Sequence, residues 1–224
     1  ANRLRGGEQG IADGFAEVTV AFADLVGFTA LSSDMPPEAL VTLLNGLFTR
    51  FDVAAHELGI EKIKTVGDAY MAVCGMPVPV ADHAERMVRM AIRMVHITRE
   101  HAMEHNASIK LRVGVNSGPV VAGVIGKSKY IYDLWGDTVN LAARLEQLDL
   151  GVLGGEVDAD LGGDDVVAAP VDEDRRRRRV QAHGLEQDRF AQPQRWNVGH
   201  AGRAIAQHTV QFVVQRGGDV RRLR

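Results

Sequence analysis

The order of the periodic segments limits most strongly what this chain can fold into. Residues 17 to 24, EVTVAFAD, set Val18, Val20 and Phe22 against Thr19, Ala21 and Ala23. Both faces are apolar or small, which predicts a central strand ending at Asp24. Leu40, Leu43, Leu44, Leu47, Phe48, Phe51, Ala55 and Leu58 then recur at helical spacing, which predicts a long amphipathic helix. Pro36 and Pro37 stand where a helix start tolerates proline, and Gly59 where a helix stops. KIKTVGDAYMAV, residues 62 to 73, places two β-prone runs around a Gly-Asp turn and reads as a hairpin. A second long helix covers ADHAERMVRMAIRMVHITREHAMEH. Its buried stripe is Met87, Val88, Ala91, Ile92, Met94, Val95 and Thr98, and Asp82 and Glu85 have capping-box spacing. IKLRVGVN (109–116) and GPVVAGVIG (118–126) are expected as two strands. YIYDLWGDTVNLAARLEQ reads as a strand turning through Gly136 into a helix. The order β-α-β-β-α-β with amphipathic helices is the split βαβ, ferredoxin-like pattern of the α+β class.

Composition narrows the function classes. A chain of 224 residues with 46% hydrophobic content has enough apolar material for one domain and an appendage. A net charge of −3 argues against a nucleic-acid partner. No apolar run approaches the ~18 residues of a membrane span. Cys74 is the only cysteine, so no intrachain disulfide forms. With no thiolate cluster either, a cytoplasmic setting is the expectation. The chain starts Ala1-Asn2-Arg3 without Met, and the expectation is a fragment of a longer protein with a sensor or membrane domain ahead of it.

Two carboxylates are candidates for chemistry. Asp24 ends the first strand, and Asp68 sits at the hairpin tip. In a split βαβ sheet these strands are neighbours, so the two can meet at one sheet end. Such a pair, with nucleotide phosphates, suits Mg²⁺ or Mn²⁺. From spacing alone, a solvated turn Asp and a solvated strand-end Asp fit equally well. DLVGFT is a Gly-containing turn into a helix, which presents backbone N–H groups, but it lacks the Lys-Ser/Thr ending of a Walker A loop. Asn140 and Arg144 share a helix face four residues apart, a stripe able to position sugar and phosphate. An ordinary surface pair has the same spacing.

Taken together, VTVAFADLVGFT, KIKTVGDAYM, LRVGVNSGPVVAGVIG and YDLWGDTVNLAARLE resemble the catalytic domain of class III nucleotidyl cyclases, of the bacterial adenylyl cyclase type. The resemblance covers about residues 8 to 148. It implies a ferredoxin-like domain that makes cyclic AMP and pyrophosphate from ATP, with two Mg²⁺ or Mn²⁺ ions per site, at a homodimer interface. On this resemblance Asp24 and Asp68 hold the ions, assisted by the carbonyl of Leu25. Lys64 reads the adenine edge and Asp133 its exocyclic amine, where guanylyl members carry Glu and Cys. Asn140 orients the ribose, Arg144 stabilises charge on the α-phosphate, and Arg112 binds phosphate. One chain supplies Asp24, Asp68 and Arg112 to a site, and the other supplies Lys64, Asp133, Asn140 and Arg144. A diguanylate cyclase shares the core, but its Gly-Gly-Asp/Glu-Glu-Phe turn is missing.

The domain is expected to occupy residues 1–150. Residues 151–224 depart from the family pattern and lack its Lys-Gly-rich phosphate grip. All five lysines precede residue 130, and five arginines run from Arg175 to Arg179. The expectation is a disordered appendage or a frame-shifted reading, with TVQFVVQ (209–215) the one strand-like piece. A catalytically silent nucleotide-binding or dimerisation module is the alternative this departure raises. His101 and His105 share a helix face without an evident third metal ligand, so a solvated helix end is expected. Cys74 is expected to be a small buried residue, and Trp135 to pack in the core or a dimer seam.

Overall fold

The computed structural model describes residues 12–126 and 131–147, together with the backbone of 165–170, 194–197 and 210–211. Strand β1 (Ala12–Val26) leads into the short helix α1 (Phe28–Asp34) and the long α2 (Pro37–Leu58). The hairpin β2 (Glu61–Val66) and β3 (Ala69–Cys74) follows, then α3 (His83–Glu104), β4 (Lys110–Ile125), β5 (Ile131–Trp135) and α4 (Asp137–Gln147). The sheet order is β2-β3-β1-β4-β5, with all four pairings antiparallel. Its first four strands have the ferredoxin-like arrangement that the element order predicts, and β5 adds one edge.

The alternation along β1 divides the core. Ala21, Ala23 and Leu25 face α2 and α3, joined by Tyr70, Val113 and Val115. Val18 and Val20 face the other way, with Met71, Val73, Val120 and the α4 residue Ala142. Leu43, Leu47, Phe51 and Ala55 of α2 are buried as the spacing requires, and so are Met87, Val88, Ala91, Met94 and Thr98 of α3. Gly59 closes α2 in the left-handed region (φ 66°), its N–H returning to carbonyls of the last turn. Cys74 is fully buried, and burial pushes its thiol up to about 11.

Four local expectations need correction. The strand predicted for residues 17–24 runs from Ala12 to Val26, because its polar ends pair with β4 (Ala12 with Gly123, Val26 with Lys110). The two strands predicted over 109–126 are one strand, β4. Gly118 pairs with Val18, and Pro119 falls where the β1–β4 register shifts, so no N–H is demanded of the proline. The Asp82–Glu85 capping box does not form. Asp82 makes no cap bond, and its carboxylate instead accepts from Arg86 Nε at 2.8 Å. Of the two places expected for Trp135, the core is excluded by its 38% exposure on β5, and the dimer seam is left.

Beyond Gln147, strands β6 (Asp165–Pro170), β7 (Gln194–Asn197) and β8 (Val210–Gln211) form a separate sheet in the order β7-β6-β8. The Arg175–Arg179 run and most of the segment expected to be disordered or frame-shifted lie outside the described residues.

The main sheet is strongly curved. β2 and β5 are its opposite edges, yet they touch, and Lys64 of β2 reaches Asp133 of β5. Irregularities in β1 (between Phe15 and Val18) and in β2 (between Lys62 and Lys64) supply local bending.

Candidate active site

One group of polar side chains lies on the α4 side of the curved sheet, and a second joins its two edge strands. The first begins with Asp24, which follows Val20 and Phe22 on that face. Arg112 is its direct partner on β4. The Arg112 guanidinium donates to Asp24 Oδ2 at 3.2 Å and to Glu146 Oε1 at 2.9 Å. Glu146 comes from α4, which can approach because Gly114 carries no side chain. A Cβ at Gly114 would stand 2.3 Å from the Ala142 carbonyl oxygen and from the Glu146 nitrogen.

Asp68 joins this group from the hairpin tip. Gly67 takes the left-handed conformation (φ 62°) that the two-residue turn requires. Partial burial and the charge of Asp24 push the Asp68 carboxyl above its usual range, and Arg112 opposes the shift. The hairpin therefore brings the two carboxylates within electrostatic reach, as the strand order predicts. Leu25 buries its side chain on the other face, so only its backbone is available to this group.

The second group is an ion pair across the sheet edges. Lys64 Nζ lies 2.5 Å from Asp133 Oδ2. The other carboxylate oxygen accepts the Leu134 N–H at 2.9 Å, which fixes the Asp133 rotamer. Asp133 pairs with Gly123 in a ladder flanked by Val121–Trp135 and Ile125–Ile131. Those four apolar side chains are 38–60% exposed. Asn140 and Arg144 lie on the exposed side of α4, and among the described residues no ion pair involves Arg144.

Glu146 is the site residue that sequence reasoning missed. Its residue is 7% exposed. Burial pushes its carboxyl up, and Arg112 pulls it back. A faint signal exists: Val139, Ala142 and Glu146 share one helical stripe, but at the last turn of the helix that stripe reads equally as surface until the helix is seated on β4.

A family model of the adenylate and guanylate cyclase catalytic domain matches residues 11–152. The chain belongs to this family. An adenylate cyclase of Mycobacterium tuberculosis is 43% identical over 150 residues, 66% of this chain and 34% of that protein. The matched cyclase domain thus spans about a third of that relative's length. The guanylate cyclase domain of RhGC from Catenaria anguillulae, solved in complex with GTP, aligns with a TM-score of 0.60 at 33% identity. That alignment covers 71% of this chain and 89% of the other. The adenylyl cyclase CyaB from P. aeruginosa aligns at 0.58 with 31% identity, covering 61% and 74%. Adenylate and guanylate cyclases both stand among the relatives, so base choice in this cyclase domain falls to its own side chains.

The cyclase domain's acidic residues fit a hard divalent cation. Burial, and after it the neighbouring charge of Asp24, raises the Asp68 carboxyl, and a shared cation would offset both effects. Their donors are carboxylate oxygens, the set that Mg²⁺ and Mn²⁺ prefer. Arg112 already offsets part of the Asp24 charge and would share it with such an ion.

Proposed function

We propose that this domain is an adenylyl cyclase that converts ATP to 3′,5′-cyclic AMP and pyrophosphate at the interface of a homodimer. The observation that carries the reading is the Lys64–Asp133 pair. Adenine presents a ring-nitrogen acceptor beside an amino donor. Lys64 donates only and Asp133 accepts only, which is the complement of that edge. In the free chain each satisfies the other, so neither charge is left unpaired. A purine with the opposite pattern would leave both mismatched in a desolvated pocket, which discriminates strongly.

Asp24, Asp68 and the Leu25 carbonyl would hold two divalent ions. When bound, these lower the pKa of the 3′-hydroxyl and neutralise phosphate charge. Arg112 would bind phosphate, with Glu146 sharing and orienting its guanidinium. Asn140 would orient the ribose, and Arg144 would stabilise charge developing on the α-phosphate. Arg144 is exposed on α4, which supports its acting on a nucleotide held by a second chain. The exposed apolar strip Val121, Ile125, Ile131 and Trp135 beside Asp133 supports the same arrangement. A twofold dimer would cover the strip and form two equivalent sites.

The test is cyclic AMP formation from ATP and Mn²⁺ across a range of protein concentrations. Activity per chain should rise with concentration and then level off. No product at any concentration, with ATP still bound, would assign the chain to a silent nucleotide-binding module instead.

A further inference from the structure

The C-terminal end of α3 carries a third polar cluster, on the α2–α3 side of the sheet, opposite the α4 side that holds Asp24. His101, Glu104 and His105 each place one ligand atom within 4.8 Å of the others. His101 is not on a solvated helix end, as its sequence setting had indicated: it is 2% exposed. Its Nε2 lies 2.9 Å from the Leu43 carbonyl of α2. A carbonyl oxygen only accepts, so Nε2 carries the proton and Nδ1 presents a lone pair. That Nδ1 is buried with no hydrogen-bond partner among the described residues, and Glu104 Oε2 stands 3.9 Å from it. His105 repeats the logic. Its Nδ1 lies 2.9 Å from the His101 carbonyl, which leaves Nε2 as the lone-pair nitrogen. Arg50 of α2 grips the Glu104 carboxylate with two bonds, at 3.1 and 2.5 Å.

An unpartnered buried nitrogen is costly and calls for an explanation, a bound ion being one. An imidazole with one N–H donated to a backbone carbonyl and its other nitrogen bare is the state of a metal-bound histidine. Zinc bonds of about 2.0–2.1 Å at tetrahedral angles put ligand atoms about 3.3 Å apart. The 3.9 Å from His101 to Glu104 must close by about 0.6 Å, which draws Oε2 off its Arg50 bond, and the other separations in the trio are bounded at 4.8 Å. The i, i+3, i+4 spacing holds all three groups on one helical face. Two imidazoles and one carboxylate favour a borderline ion such as Zn²⁺ over Mg²⁺.

We propose that His101, Glu104 and His105, at the C-terminal end of α3, form a Zn²⁺-class site with an open fourth position for water. Arg50 would keep one oxygen of Glu104 and orient the other toward the ion.

The test uses the full chain, stripped of metal by a chelator and titrated with Co²⁺ in excess Mg²⁺, which occupies the hard carboxylate site. We expect one Co²⁺ per chain, with the visible absorption of a four-coordinate ion, bleached by Zn²⁺. His105 is exposed, so His105→Ala should fold normally, as checked by an unchanged urea midpoint. It should weaken Co²⁺ binding by more than the ~10–100-fold that loss of an outer-shell partner costs. Glu104→Gln should weaken it as well. No Co²⁺ uptake in excess Mg²⁺, or uptake unchanged in His105→Ala, overturns the proposal. The readout does not depend on cyclase activity, so it stands or falls separately from the assignment above.

Discussion

Gly114→Ala is the sharpest test of how α4 is seated on the sheet. The added methyl carbon would lie 2.3 Å from two backbone atoms of α4 and 2.8 Å from a third. Ordinary carbon contact begins near 3.4 Å, so the helix would have to retreat by about 1 Å. Neither obstacle is a flexible side-chain end that can swing away. Overpacking of this kind costs ~1–3 kcal/mol, and backbone obstacles put it at the upper end. A retreat of about 1 Å would also stretch the Arg112–Glu146 bond beyond hydrogen-bonding range from its present 2.9 Å. Together these give a loss of about 3 kcal/mol. With a urea m-value of about 2 kcal/mol/M, the unfolding midpoint should fall by about 1.5 M. Gly14→Ala is the matched control, since a Cβ there meets nothing within 4 Å. A Gly114→Ala midpoint within about 0.3 M of the control would refute the close seating of α4 and the Arg112–Glu146 geometry that depends on it.

The remaining predictions address the base, the dimer and pH. The double variant Lys64→Glu, Asp133→Cys should lower the ATP-over-GTP ratio of kcat/KM by at least about 100-fold, because the hydrogen-bond pattern of the edge is reversed. An unchanged ratio would remove both residues from base reading. Ile125 is 60% exposed. Ile125→Asp should cut specific activity more than about tenfold at low protein concentration and leave the urea midpoint within about 0.3 M; sedimentation should report the lost dimer. His83 is buried beside Thr19, with Nδ1 2.6 Å from the hydroxyl, and burial holds its imidazole below the usual range. The unfolded chain therefore binds a proton first. Stability contributed by neutral His83 is present above the ordinary histidine pKa and lost as pH falls through it. The slope is at most about 1.4 kcal/mol per pH unit. His83→Asn should flatten urea midpoints measured from pH 7.5 to 5.5, and an unchanged slope would show that His83 does not titrate on unfolding.

Much of the fold was legible because local periodicity and burial agree. The α2 and α3 stripes predicted their buried faces, and Gly67-Asp68 predicted the hairpin turn. Strand order allowed Asp24 and Asp68 to meet but left two solvated carboxylates as an equal alternative. Other features were hidden for identifiable reasons. Gly118-Pro119 reads as a break, but β1 spans it because its own register shifts there. Asp82 has a capping sequence, and Arg86 one turn later takes its carboxylate. Glu146 looks like a surface residue at the end of a helix until Gly114 admits that helix against β4.

The sequence by itself determined the element order, the two-sided core and the chemistry of the candidate residues, because each follows from side-chain type and short-range spacing. Tertiary structure alone decided which charges meet. Lys64 and Asp133 stand 69 positions apart on opposite edges of the sheet, and only its curvature joins them. Arg112 binds Asp24 by cross-strand register and Glu146 by helix docking. His101 lost its solvent because α2 lies over it. Coulomb and hydrogen-bond partners depend on distances of a few ångströms, and those are set by how sheets bend and helices seat.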